Sequence, residues 1–166
     1  FCFQCNDVKH CFGCIGLRKA QYCVFNKQYA KEEYEQCIQE EMYPSAEQMT
    51  MAEVIRTVNE ITQGDAVMVT DVGQHQMVTC RSAKFNQTRS NVTSGGLGTM
   101  GFGLPAAIGA KFGALDRTVI AVIGDGGIQM TLQEFGTIMQ TGIDVKVMIL
   151  NNEFLGMVRQ WQQLFM

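Results

Sequence analysis

Proline and charged residues are scarce in this chain, and no charge of one sign dominates. Its 166 residues include 2 prolines, 13 lysines and arginines, and 16 aspartates and glutamates, giving a net charge of -3. A chain without a basic excess lacks the electrostatic footprint that binding to nucleic-acid phosphates requires. The most apolar stretch, residues 97–115, contains Pro105 and Lys111 and cannot supply the roughly 20 apolar residues of a membrane span. No basic start leads into an apolar run, so no signal peptide is visible. We therefore expect a cytoplasmic protein with neither a nucleic-acid nor a membrane partner.

Cysteine and glycine divide the chain into two parts. Six of the seven cysteines and all four tyrosines precede residue 44, whereas fifteen of the seventeen glycines follow residue 60. The sequence therefore predicts a Cys-rich segment over 1–35, a junction over 36–48 and one larger domain over 49–166, which suits about 150 residues per domain. Because the chain starts at Phe1 and stops within a helical pattern, we expect it to be part of a longer reading frame.

Two Cys-x-x-Cys pairs lie in the Cys-rich segment, Cys2 with Cys5 and Cys11 with Cys14. Thiolates at this spacing suit a tetrahedral zinc ion. Only five residues separate the pairs, however, which is shorter than zinc-ribbon spacing. A small zinc site and unliganded thiols are equally compatible with this pattern, and a disulfide framework is less favoured without a secretory signal. The isolated Cys80 is expected to be a small buried hydrophobe.

A regular alternation of strands and helices follows the junction. Thr50 and Glu53 form a capping-box pattern that opens a predicted helix over 51–61. Further predicted strands are 66–70, 118–123 and 145–150, and further predicted helices are 100–113 and 129–141. Strands that are apolar throughout, each followed by a helix, predict an α/β fold with a parallel sheet covered by helices on both faces. Ligands of such sheets bind at the carboxyl ends of the strands.

Polar or glycine-rich segments follow the predicted strands at 71–75, 124–127 and 151–154. Asp125 and Asn152 offer oxygen donors that suit Mg²⁺, which takes one or two ligands from side chains while phosphates supply others. The glycines beside Asp125 would let a diphosphate approach the backbone, and a helix start near Gln129 would favour its charge. Gly-Asp-Gly-Gly alone is more often a tight turn. Its pairing with Asn-Asn after the next strand favours a binding site.

The stretch GDGGIQMTLQEFGTIMQTGIDVKVMILNN resembles the thiamine-diphosphate motif, which opens with GDG and closes with NN. Four wider segments are similar to the large catalytic subunit of acetolactate synthase (acetohydroxyacid synthase): MTMAEVIRTVNEIT, VTDVGQHQMV, RSNVTSGGLGTMGFGLPAAIGAKFGA and NNEFLGMVRQWQQLF. The resemblance covers roughly residues 38–166. The runs VGQHQM and MVRQWQQLF favour acetolactate synthase over other thiamine-diphosphate-dependent decarboxylases and carboligases, which remain an alternative.

The resemblance implies a site residue by residue. Asp125 and Asn152 would coordinate Mg²⁺ through their side chains, and Phe154 would do so through its backbone carbonyl. Met157 and Trp161 match positions that line the substrate channel, although their spacing fits core or interface packing equally well. The implied contacts to thiamine diphosphate are Val72, Gly73, Gln74, His75, Gly98, Met100, Gly124, Asp125, Gly126, Gly127 and Asn152. The resemblance implies that Met100 is the wedge that bends the cofactor. Without the resemblance, we would interpret His75 as an ordinary polar residue and Met100 as a core side chain.

The resemblance also implies a reaction and its partners. Acetolactate synthase is a transferase of isoleucine and valine biosynthesis that condenses two 2-keto acids with loss of CO₂, giving 2-acetolactate from pyruvate or acetohydroxybutyrate when 2-ketobutyrate is the acceptor. The intact enzyme would be a homo-oligomer that contains FAD and binds a small regulatory subunit. Its activating glutamate lies in a separate domain that nothing here matches, so we expect no catalytic residue in this chain and no turnover of pyruvate by the chain alone. The glutamates 32, 33, 35, 40 and 41 are expected on a solvated helix face.

Two alternatives from other classes remain. Residues 96–101 spell G-x-G-x-x-G, as in a dinucleotide-binding Rossmann domain, but that fingerprint requires a buried apolar strand just before it. Residues 89–94 are mostly polar instead. Asp125 could serve as the ribose-binding acid, yet the Asn-Asn pair would then have no role. The other alternative is a non-catalytic zinc-binding interaction module followed by a degenerate domain.

Overall fold

The structure is a computed structural model that describes residues 7, 9–12, 18–24, 27–42 and 49–165. It divides into two compact units, Phe1–Gln48 and Met49–Met166. The predicted zinc ligands Cys2, Cys5 and Cys14 lie outside the described residues, and the side chain of Cys11 is not described either. The zinc site therefore stays a prediction.

The described residues of the first unit form a small sheet and one helix. Its elements are β1 (Lys9–Phe12), β2 (Gln21–Val24), β3 (Lys27–Gln28) and α1 (Lys31–Met42). Strand β2 pairs parallel with β1 and antiparallel with β3. Residues 36–42 of the expected junction belong to α1, because this charged run is helix-permissive up to Met42. Residues 43–48 lie outside the described part of the chain.

The second unit is an α/β layer structure. Its elements are α2 (Met51–Thr62), β4 (Val67–Thr70), α3 (Gln74–Ser82), β5 (Asn91–Thr93), α4 (Gly103–Gly113), β6 (Val119–Gly124), α5 (Asp125–Met130), α6 (Glu134–Thr141), β7 (Lys146–Leu150) and α7 (Gly156–Phe165), with one 3-10 turn at Gly95–Leu97. The strands form one sheet in the order β5-β4-β6-β7, and every neighbouring pair is parallel. This arrangement confirms the predicted fold class. Among the described helices, none is both long and apolar enough to cross a membrane.

Burial of both faces explains the composition of the central strands. Every residue of β4 and β6 is buried. Successive side chains of β6 point to opposite faces of the sheet, so that Val119, Ala121 and Ile123 pack with α4 in one core. Ile120 and Val122 pack with Ile55 of α2 in the other. A strand covered on both faces is apolar along nearly its whole length, with Thr70 at the end of β4 as the buried exception, and this is why these strands are recognisable from the sequence.

Three expectations about the second unit, two on helix bounds and one on the burial of a cysteine, are wrong. The helix expected over 129–141 is two helices, because Thr131 after α5 leaves helical geometry with φ of -135°. The helix expected to start at residue 100 starts at Gly103, since Gly101 has a φ of +82° that belongs to left-handed backbone. Cys80, expected to be buried, is exposed and accepts a hydrogen bond from Asn91 Nδ2 at 3.6 Å. Strand β5 and helix α3 were not predicted at all.

The expected capping box at the start of α2 is present. Glu53 N–H donates to Thr50 Oγ1 at 3.3 Å, and Thr50 N–H donates to the Glu53 carboxylate at 2.7 Å. We expect Thr50→Ala to lower the free energy of unfolding by about 1 kcal/mol, because it leaves a helix N–H without its acceptor. Urea denaturation followed by circular dichroism would measure the change. Thr57→Ala in the exposed middle of α2 is the matched control, and an equal loss in that variant would contradict the capping explanation.

Candidate functional site

A cleft of about 210 Å³ opens at the carboxyl ends of the strands. The chain leaves β4 toward β5 on one side and continues through β6 to β7 on the other, so the loops after β4 and β6 diverge. A divergence of this kind is where parallel α/β sheets bind ligands. The residues that line the cleft are Val72, Gly73, Gln74, His75, Gly98, Met100, Gly124, Asp125, Gly126, Gly127, Asn152, Phe154, Leu155, Gly156, Met157 and Val158.

The structure therefore brings together every residue that the sequence assigns to the cofactor, and places Phe154 and Met157 beside them. Trp161 does not line the cleft. It is 54% exposed on α7, and its ring packs on Phe165 with 4.7 Å between ring centroids. Glu32, Glu33 and Glu35 of α1 are exposed.

The candidate metal ligands follow two paired strands. Gly124 of β6 lies opposite Leu150 of β7, and paired strands run about 4.8 Å apart. Asp125 and Asn152 come one and two residues after this pair, and Asn152 Oδ1 accepts a hydrogen bond from the Phe154 N–H at 3.3 Å. In the described part of the chain, no group of three or more His, Cys, Asp or Glu side chains could hold a metal. The Asp125 carboxylate and the Asn152 amide oxygen suit Mg²⁺, which obtains further ligands from phosphate and water.

His75 is the buried titratable group of the cleft. It is only 5% exposed, and a Cβ added at Gly73 or Gly124 would lie 2.6 or 2.9 Å from its Cε1 atom. Burial lowers the pKa of His75, while the charges of Asp71 and Asp125 oppose that shift. The ring is therefore neutral at neutral pH. Its Nε2 has no hydrogen-bond partner among the described residues, so a ligand group that hydrogen-bonds to it in the cleft would satisfy a buried polar atom.

Asp71 is a buried carboxylate for which the sequence reasoning gave no role. Its side chain is fully buried. Oδ1 accepts hydrogen bonds from the N–H groups of Val72 at 2.7 Å and Gly101 at 3.0 Å, and Oδ2 accepts one from Gly103 N–H at 2.8 Å. Asp71 thereby joins the end of β4 to the loop that carries Met100. An aspartate placed directly after a buried strand was the available signal.

The glycines around Asp125 lie close to neighbouring side chains. A Cβ at Gly127 would lie 3.0 Å from Asp71 Oδ1, and one at Gly126 would lie 2.8 Å from Leu155 Cδ2. The sequence reasoning expected these glycines to leave space for a diphosphate. In the structure they also let the walls of the cleft pack closely, and α5 begins at Asp125 itself instead of near residue 129.

The charges in the cleft fit a diphosphate only together with a cation. Among the described residues that line it, Asp125 is the one acid and none is lysine or arginine. A diphosphate beside Asp125 would be repelled unless a divalent ion lay between them. The carboxylate and the amide together fit a magnesium diphosphate.

The dinucleotide-binding alternative fits the structure less well. Strand β5 does precede the G-x-G-x-x-G run, but it has three residues and none of them is buried. The helix after the run begins only at Gly103, so the glycines form a 3-10 turn and a loop instead of the helix start that the fingerprint requires.

Comparison with known proteins agrees with this geometry. Residues 71–166 match the family described as "Thiamine pyrophosphate enzyme, C-terminal TPP binding domain". An acetolactate synthase large subunit of Lactococcus lactis is 54% identical over 113 residues, which are 68% of this chain and 20% of that protein. The acetolactate synthase isozyme 3 large subunit of Escherichia coli is 46% identical over 129 residues, 78% of this chain and 22% of that protein. The chain thus spans about a fifth of the length of these relatives.

A solved structure is also similar. It is a thiamine diphosphate-dependent 4-hydroxybenzoylformate decarboxylase of Rhodococcus jostii, with a TM-score of 0.65 and 28% identity over 70% of this chain and 22% of that one. The fold and the resemblance expected from the sequence are confirmed. The chain belongs to the thiamine pyrophosphate enzymes and carries their C-terminal TPP-binding domain.

Proposed function

We propose that residues 49–166 hold the diphosphate end of thiamine diphosphate through Mg²⁺, as part of an acetolactate synthase. The observation that carries the proposal is that Asp125 and Asn152 follow the paired ends of β6 and β7 and line one cleft, whose described lining has no lysine or arginine. A divalent cation would offset the charge of Asp125 and join the diphosphate to these oxygen donors.

The chain's own residues hold and orient the cofactor in this proposal. Asp125, Asn152 and the backbone carbonyl of Phe154 would bind the metal, and His75 lines the cleft beside them. Met100 lies against the ring end of the cofactor, held there by the loop that Asp71 binds. When bound, thiamine diphosphate supplies the electron sink that decarboxylation of a 2-keto acid needs.

The higher identity to acetolactate synthases, 46% and 54% against 28% to the decarboxylase, favours carboligation over simple decarboxylation. We propose that the intact protein joins two pyruvates into 2-acetolactate and CO₂, or pyruvate and 2-ketobutyrate into acetohydroxybutyrate, with Met157 and Trp161 at the substrate channel. FAD, a homo-oligomer, a small regulatory subunit and a cytoplasmic location belong to the same proposal.

Calorimetric titration of thiamine diphosphate into the full chain tests the cofactor site. We expect binding heat with Mg²⁺ and none with EDTA, because the charge of Asp125 would repel a diphosphate that is not paired with Mg²⁺. Circular dichroism on the same sample reports whether the chain is folded. A folded chain that fails to bind with Mg²⁺ present would contradict the assignment of Asp125 and Asn152.

A chimaera tests the reaction. The 113 matched residues of the Lactococcus lactis subunit would be replaced by those of this chain, and the products from pyruvate analysed. Formation of 2-acetolactate supports the proposal. Release of acetaldehyde without 2-acetolactate would favour the decarboxylase alternative.

A further inference from the structure

Two carboxamides from distant parts of the chain meet beside the candidate metal ligands. Gln74, the first residue of α3, accepts a hydrogen bond through Oε1 from Asn152 Nδ2 at 2.9 Å. Both side chains are half-buried, and both line the cleft. Of the two ends of the Asn152 amide, Gln74 therefore engages the nitrogen.

Gly156 makes this contact possible. It is the first residue of α7, and a Cβ there would overlap the carboxamide of Gln74 and lie 2.9 Å from Asn152 Nδ2. The two amides are thus confined against the backbone at the start of α7. Their hydrogen bond links the loops after β4 and β7, which are separated by 78 residues in the chain.

The orientation of the Asn152 amide decides whether it can bind a cation. Its oxygen is a metal ligand, whereas its NH₂ group has two donors and repels a cation. The two ends are nearly equal in size, so packing alone does not distinguish them. The Phe154 N–H, which donates to Oδ1 at 3.3 Å, and Gln74 Oε1, which accepts from Nδ2, favour the same orientation from the two ends of the amide.

We propose that Gln74 is a positioning residue for the metal site: by accepting from Asn152 Nδ2, it keeps Asn152 Oδ1 available to the cation. The inference rests on the proposed function, since it assumes that Asn152 binds the metal. It gives the side chain of Gln74 a role that acts through Asn152 and is separate from any contact with the diphosphate. Partners of metal ligands typically change affinity by about 10- to 100-fold.

The test is a titration of Mn²⁺, an oxygen-preferring substitute for Mg²⁺, into the full chain with thiamine diphosphate present, followed by electron paramagnetic resonance. We expect Gln74→Met to weaken Mn²⁺ binding by about 10-fold or more. Gly156→Ala should also weaken it, because the added methyl group separates the two amides without removing either. Gln76→Met is the matched control, since Gln76 lies in the same helix, does not line the cleft and bonds Thr93 Oγ1 at 2.6 Å.

A double-mutant cycle separates positioning from direct contact. In an Asn152→Ala background, Gln74→Met should cause no further loss, because the group that it positions is absent. An equal loss in both backgrounds, or parent-like Mn²⁺ affinity of both Gln74→Met and Gly156→Ala, would overturn the inference alone. Two results would overturn the proposed function and the inference with it: a folded parent chain that binds no Mn²⁺, or an Mn²⁺ affinity that Asp125→Asn leaves unchanged.

Discussion

Asp125→Asn is expected to weaken Mg²⁺-dependent binding of thiamine diphosphate by at least about 100-fold. Loss of a residue that only supports a metal ligand costs up to about 100-fold in affinity, and we expect the loss of the ligand's own charge to cost no less. The substitution keeps the size of the side chain and removes the one negative charge among the described residues that line the cleft. Magnesium depends on charged oxygen donors because it gives up its water ligands reluctantly. Calorimetry in the presence of Mg²⁺ would measure the loss.

The fold should survive this change, since Asp125 is half-buried and lies at the start of a helix outside both apolar cores. Asp116→Asn makes the same charge change at an exposed position away from the cleft, and it should leave cofactor binding unchanged. If Asp125→Asn bound the cofactor as tightly as the Asp116→Asn control, Asp125 would not be a metal ligand.

Asp71→Asn is expected to destabilise the second unit by about 3 kcal/mol or more, because hydrogen bonds to a charged group contribute about 1.5–3 kcal/mol each. The asparagine would turn an NH₂ group toward backbone N–H groups of Val72, Gly101 or Gly103, which now donate to the carboxylate. At least one N–H would be left buried and unpaired. Urea denaturation monitored by circular dichroism would give the change in the free energy of unfolding.

A surface aspartate provides the comparison for this prediction too. Asp116→Asn is expected to change stability by no more than about 0.5 kcal/mol, as is usual for exposed substitutions. A loss of the same small size for Asp71→Asn would show that the three N–H groups find other acceptors. In that case Asp71 would not hold the loop that carries Met100.

The parts of the fold that could be predicted are those in which local sequence and burial agree. Strand β6 is buried at every position, and its six residues form an apolar run that ends at a glycine. Strand β7 is followed at once by Asn-Asn. Because parallel strands end at the same edge of a sheet, Asp125 and Asn152 could be placed together before any coordinates were known.

The features that could not be predicted depend on contacts between distant residues. Strand β5 lies at the edge of the sheet, with no buried residue, and so it lacks an apolar run. The carboxylate of Asp71 is bound by N–H groups about thirty residues further along the chain, which no local pattern indicates. The pairing of Gln74 with Asn152 is likewise invisible in the sequence, although both positions were assigned to the site.

The close packing of glycines around two side chains limits how this site can diverge. His75 occupies the space that a side chain at Gly73 or Gly124 would need, and Asp71 does the same for Gly127. A larger residue at one of these glycines becomes tolerable only after its partner has been shortened, and shortening the partner first leaves a void. Neither single step is neutral, so these positions can be exchanged only as linked sets. Variation among related sequences should therefore concentrate at cleft residues outside these sets, such as the exposed Val158 of α7.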